Sequence, residues 1–101
     1  MSDIAKQLEV DADEIVDALR RKWIERQSLL LLSIHEPLFV HIEAFAEPAY
    51  ADVLNNYPLM REAPPRIFWE MLFVAIFESG THPPAELTAA RAELAAKYAR
   101  Q

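Results

Sequence analysis

Apolar residues along the first third of the chain recur at Ile15, Leu19, Trp23, Leu30 and Ile34. Spacings of four and seven place them on one face of a helix. A short helical turn over Asp3 to Leu8, capped by Ser2 or Asp3, is expected before it, with Asp11 or Asp13 opening the longer helix. That helix should end near His35, because Pro37 disfavours helical geometry at Glu36. Pro37 then opens a third helix to about Ala46, with Leu38, Ile42 and Phe45 inward. Glu47-Pro48 repeats the punctuation and starts a fourth, burying Tyr50, Val53, Leu54 and Tyr57. Asn55-Asn56-Tyr57-Pro58 closes it, and Leu59 to Pro65 reads as a loop.

From Arg66 to Ser79 the chain is apolar nearly all round, with Ile67, Phe68, Trp69, Met71, Leu72, Phe73, Val74, Ile76 and Phe77. Such a helix belongs at the centre of a bundle. Gly80 is its expected stop. Thr81 or His82 should cap the last helix, with Pro83 or Pro84 in its first turn and Leu87, Leu94 and Tyr98 as its seam. The pattern predicts an all-α fold: one domain over 1–101, a compact bundle of five to six short helices around the central helix 66–79.

Composition sharpens this picture. A single glycine among 101 residues leaves hairpins without their usual turns, and 52% hydrophobic residues exclude a disordered chain. The absence of cysteine removes disulfide, zinc-ribbon and thiolate chemistry. A net charge of −6 disfavours nucleic acid and anionic membrane as partners. The longest apolar run, Met71 to Phe77, is far short of the ~20 residues that span a bilayer. Met-Ser-Asp-Ile lacks the basic start and apolar run of a secretory signal, so a cytoplasmic location with no membrane role is expected.

Ile4, Ala5, Leu8, Val10, Ile15 and Ala18 are spaced so that the N-terminal stretch resembles the helix-turn-helix of bacterial repressors. The resemblance implies two helices, a dimer and duplex DNA as ligand, with Arg20, Arg21, Lys22 and Arg26 as candidate nucleic-acid contacts. It departs at the turn, where Glu9 stands in place of glycine. It departs again on the would-be recognition helix, where Asp11, Asp13, Glu14 and Asp17 would repel phosphates. Glu78-Ser79-Gly80 followed by Glu86-Leu87 is similar to a helix–glycine–helix stretch near the start of nitrile hydratase β subunits, which implies an accessory-subunit role.

Local chemistry is sparse. His35 and His41 are six apart with a proline between, unlike the i, i+4 spacing of helical zinc ligands, and His82 lies in a turn. Ser28, Ser33 and Ser79 have no glycine-flanked elbow. Glu70, within the most apolar helix, is a candidate acid or base only if it is buried without Arg66 one turn before it. No metal, cofactor or catalytic site is expected, and the chain does not read as an enzyme.

The excess of large apolar side chains is more informative. Phe73 and Phe77 share a stripe with Arg66 and Glu70, and Leu29 to Leu32 cover every side of their helix. So small a domain buries all of these with difficulty. The expected function is a small acidic interaction module of the adaptor, inhibitor or anti-regulator type. Phe73, Phe77, Leu29 and Leu32 would serve as apolar anchors, and Asp11, Asp13, Glu14 and Asp17 as an acidic face towards a basic protein. A homodimer is expected as well. A divergent DNA-binding regulator and an accessory enzyme subunit are the alternatives.

Overall fold

The computed structural model describes residues 2–30 and 36–99. The side chains at 2–5, 8, 28–30 and 99 are outside that description, and with them the expected roles of Leu29, Leu32, Ser28, Ser33, Ile34 and His35. Among the described residues there are four α-helices and no strand: α1 (Ser2–Leu30), α2 (Leu38–Asn56), α3 (Pro65–Ser79) and α4 (Pro84–Ala99). A 3-10 turn, Pro58–Glu62, occupies most of the expected loop. No described helix is long and apolar enough to cross a membrane.

The chain is all-helical, but the count of five to six helices falls to four because two expected breaks do not occur. The first lies at Glu9 to Asp11. With neither glycine nor proline from Ser2 to Leu30, nothing interrupts the backbone ladder there, and the Gln7 amide donates to Asp11 Oδ1 at 2.9 Å across the expected turn. The result is a helix of 29 residues, about 43 Å by the helical rise, in a molecule 47 Å long.

The second expected break, at Pro48, falls inside α2. Proline removes the bond to the Ala44 carbonyl, which ordinarily ends or kinks a helix. Both Ala44 and Pro48 lie on the exposed side, so the freed carbonyl faces water. Burial of Phe45, Ala46, Ala49 and Val53 on the opposite side spans the proline, and the helix continues through it.

Proline also starts helices. The Pro37, Pro64 and Pro83 carbonyls accept the first bonds of α2, α3 and α4 at 3.0–3.1 Å, from Val40, Ile67 and Glu86. The missing N–H is harmless at that position. Neither Thr81 nor His82 caps α4 as expected, since Pro83 takes that place. Gly80 ends α3 in the left-handed region, at φ 67°.

Phe68, Leu72, Ala75 and Ile76 form the buried face of α3. This helix touches all three others and lies chiefly along α1, where Ile15, Leu19 and Trp23 are buried. Trp23 is fully enclosed, packed edge-on against Phe45 at 5.4 Å, with its indole N–H donating to Thr81 Oγ1 at 2.9 Å.

One proton assignment satisfies the whole α3–α4 corner. The Ser79 hydroxyl donates to the Ile76 carbonyl, the Thr81 hydroxyl donates to Ser79 Oγ, and the Thr81 amide donates to the same oxygen. Thr81 Oγ1 then accepts from Trp23 and from His82 Nδ1, the latter at 3.0 Å. Thr81 is thus withdrawn from helix capping by a buried indole that needs an acceptor.

Thr81→Val keeps the shape of the side chain but strands the Trp23 N–H, and should cost about 1–3 kcal/mol in urea unfolding, whereas Thr81→Ser should cost much less. Pro48→Ala restores the bond to Ala44 and should stabilise the chain by up to about 3 kcal/mol in the same measurement.

Candidate functional site

Several charged residues of α1 are engaged within the molecule. Asp17 binds both Arg20 and Arg21, the second at 2.8 Å. Lys22 reaches Asp52 of α2 at 2.9 Å, and the Arg26 guanidinium lies over the Phe45 ring at 6.0 Å. Asp11 is buried at 7% exposure and accepts from Gln7. Glu14 faces Tyr57, whose phenol is pushed above its ordinary range by burial first and then by the Glu14 and Asp11 carboxylates. Of the four acidic candidates, Asp13 and Glu14 lie at the surface, and Glu14 is already turned to Tyr57. The acidic candidates thus precede the basic ones along α1, joined where Asp17 pairs with Arg20 and Arg21, while Lys22 is drawn across to α2. Continuity of α1 through Glu9 to Asp11 also removes the turn that the repressor-like pattern requires.

The opposite side of the molecule is different. Trp69, Glu70, Phe73, Val74, Phe77 and Glu78 follow one another at helical spacing along the outer face of α3. Phe77 is 59% exposed and Val74 49%. Phe73, expected beside Phe77 as a surface anchor, is half-buried against the core and covered by the Arg91 guanidinium at 5.8 Å. These side chains and α4 enclose an open cleft of about 590 Å³, lined by Phe73, Val74, Phe77 and Leu87 with Glu70, Glu78 and Arg91 at its edges. A smaller cleft of about 240 Å³ continues it past Glu70 and Arg91 to Trp69 and Tyr98. Val74, Trp69 and Arg91 escape the sequence reading. Extending the stripe by i+4 from Glu70 would have found Val74, whereas Arg91 arrives from another helix.

A charged clasp fixes the far end of α4. Lys97 Nζ contacts both Glu43 carboxylate oxygens at 2.8 and 2.6 Å, and the Tyr98 hydroxyl donates to Glu43 Oε2 at 2.7 Å. The hydrogen bonds from Lys97 and then Tyr98 hold the Glu43 carboxyl below its usual range. The same bond to Glu43, with burial and the nearby carboxylates, raises the Tyr98 phenol above its own.

Glu70 is exposed, so the burial that would make it an acid or base does not occur, and no ion pair joins it to Arg66 among the described residues. The Ser79 hydroxyl is committed to the Ile76 carbonyl. His41 lies 4.0 Å from Glu36, and His82 stands beside Trp23 and Thr81. No group of three or more His, Cys, Asp or Glu side chains among the described residues converges as a metal site.

A carboxyl group with a depressed pKa stabilises the fold fully above its unfolded value and loses that contribution as pH falls through its folded value. Glu43→Gln should therefore lower the melting temperature at neutral pH. It should also flatten the loss of stability that the wild type shows below pH 4.5, the ordinary value of this carboxyl, in thermal unfolding followed by circular dichroism.

Compared with known proteins, the chain matches no family model, no curated protein and no solved structure.

Proposed function

We propose that the chain is a protein–protein interaction module of the adaptor or inhibitor type, and that the cleft between α3 and α4 receives a basic amphipathic segment of a partner protein. The observation that carries this reading is the exposure of Val74 and Phe77, side by side, at the edge of an apolar cleft. Isolated apolar side chains at a surface are ordinary, but a contiguous apolar strip with a polar rim marks an interaction site. Helical anchors at i, i+3, i+4 spacing suit a helix laid in a groove.

Charge selects the occupant. The cleft carries two carboxylates, Glu70 and Glu78, against one guanidinium, Arg91, which already lies over Phe73. The chain as a whole has a net charge of −6. A lysine- or arginine-flanked apolar segment is attracted to this rim and steered to it. A second copy of the chain would bring the same negative charge to the contact and is the weaker fit.

Duplex DNA lacks comparable support. The cations proposed to contact it, Arg20, Arg21 and Lys22, are each bound to a carboxylate of the chain, and Arg26 is stacked on Phe45.

The test uses a synthetic amphipathic helix of leucine and lysine and its leucine–glutamate counterpart, titrated calorimetrically. The basic peptide should bind and the acidic one should not. Phe77→Asp should weaken binding by roughly 10- to 100-fold, the value of one buried phenylalanine, while leaving the helical circular dichroism unchanged. Equal binding of both peptides, or no effect of Phe77→Asp, would refute the groove. A chain that sediments as a dimer and becomes monomeric on Phe77→Asp would instead assign the cleft to a second copy.

A further inference from the structure

A second concavity lies on the far side of Trp69, between α2, α3 and the last turns of α4. It measures about 470 Å³, within the roughly 300–1,000 Å³ of small-ligand sites. Its walls are aromatic and acidic: Tyr50, Phe68, Trp69 and Tyr98 with Glu43 and Glu47. Tyr50 stands 4.7 Å from Phe68 and Trp69 5.7 Å from Tyr98, measured between ring centres, so the rings form two adjoining pairs.

The geometry points to a binding site for one weakly hydrated organic cation of the methylated ammonium class in this cleft. Aromatic faces attract cations through their quadrupoles, and the attraction is largest for cations that lose little hydration on leaving water. The carboxylates supply the charge. Glu43 and Glu47 lie one turn apart on α2, and Lys97 pairs with Glu43 alone. Two carboxylates against one ammonium leave the wall one negative charge in excess, located at Glu47. Glu47 lines the cleft together with Tyr50, Trp69 and Tyr98.

The chain also supplies its own precedent. The Lys97 ammonium sits 6.0 Å from the Tyr98 ring centre while bound to Glu43. An incoming cation would take the equivalent place at Glu47, between Tyr50, Trp69 and Tyr98. This site shares Trp69 and Tyr98 with the smaller cleft that continues the groove but none of Val74, Phe77 or Leu87, and it stands or falls separately from the partner groove.

Tetramethylammonium chloride is the probe, followed by the Trp69 indole N–H in ¹H–¹⁵N correlation spectra, with sodium chloride at matched ionic strength as control. A saturable shift of Trp69, with Trp23 unmoved, is expected. Glu47→Gln, at an exposed position, should weaken the response about 5-fold, and Trp69→Leu should weaken the companion response of Ala46 and Tyr50 amides about 10-fold. Phe77→Asp should leave it intact. A peptide bearing trimethyllysine forms the second arm: tighter binding than tetramethylammonium assigns the cation to a protein side chain, and equal binding to a free small molecule. Shifts that are linear, equal in sodium chloride, or indifferent to Glu47→Gln and Trp69→Leu would overturn the site.

Discussion

The structure depends on the burial of one indole. Trp23 is fully enclosed in the C-terminal third of α1, and its ring meets Phe45 of α2 while its N–H must find an acceptor away from water. The acceptor is Thr81, at the corner between α3 and α4. One side chain therefore ties all four helices to a common point. That tie holds α3 against α1 on its Phe68, Leu72, Ala75 and Ile76 side, and the side on which Val74 and Phe77 project is left facing outward.

The outward face then follows from size. A helix apolar on every side needs neighbours on every side. Among the described residues, four helices provide α1 beneath α3 and α2 and α4 alongside it, and none over the remaining strip. Phe73 is partly covered by Arg91, which reaches across from α4, but Phe77, one turn further, has no such cover. By contrast, on the outer side of α1 the Asp17 carboxylate is drawn into pairs with Arg20 and Arg21. The exposed apolar side chains Val74 and Phe77 thus lie together on the outer side of α3.

Much of the fold was legible from periodicity and punctuation. The central helix came from its unbroken apolar content and from Gly80, and the start at Pro37 from proline's fixed φ and missing donor, whereas Pro64 and Pro83 take cap positions that the sequence reading assigned to a loop and to Thr81 or His82. The failures are places where tertiary burial overrode a local signal. Pro48 reads as a boundary, yet the buried side of α2 runs through it. Glu9 and Asp11 read as a turn, yet without glycine the helix simply continues. The site was half legible: Phe77 stands out in a stripe that starts at charged residues, but Arg91, the clasp of Glu43 by Lys97, and the clustering of Tyr50, Trp69 and Tyr98 join positions remote in sequence. No spacing rule reaches those, because they are set by how α4 returns across α2 and α3.

The most direct test of the account is a hydrogen-exchange footprint of the chain with and without a saturating basic amphipathic peptide. Protection confined to α3 and α4, around Phe73 to Phe77 and Leu87 to Arg91, is the result that a recognition face on the outer side of α3 requires. Protection along α1 instead, around Asp13 or from Arg20 to Arg26, would place recognition on the helix whose charges are paired and would contradict it.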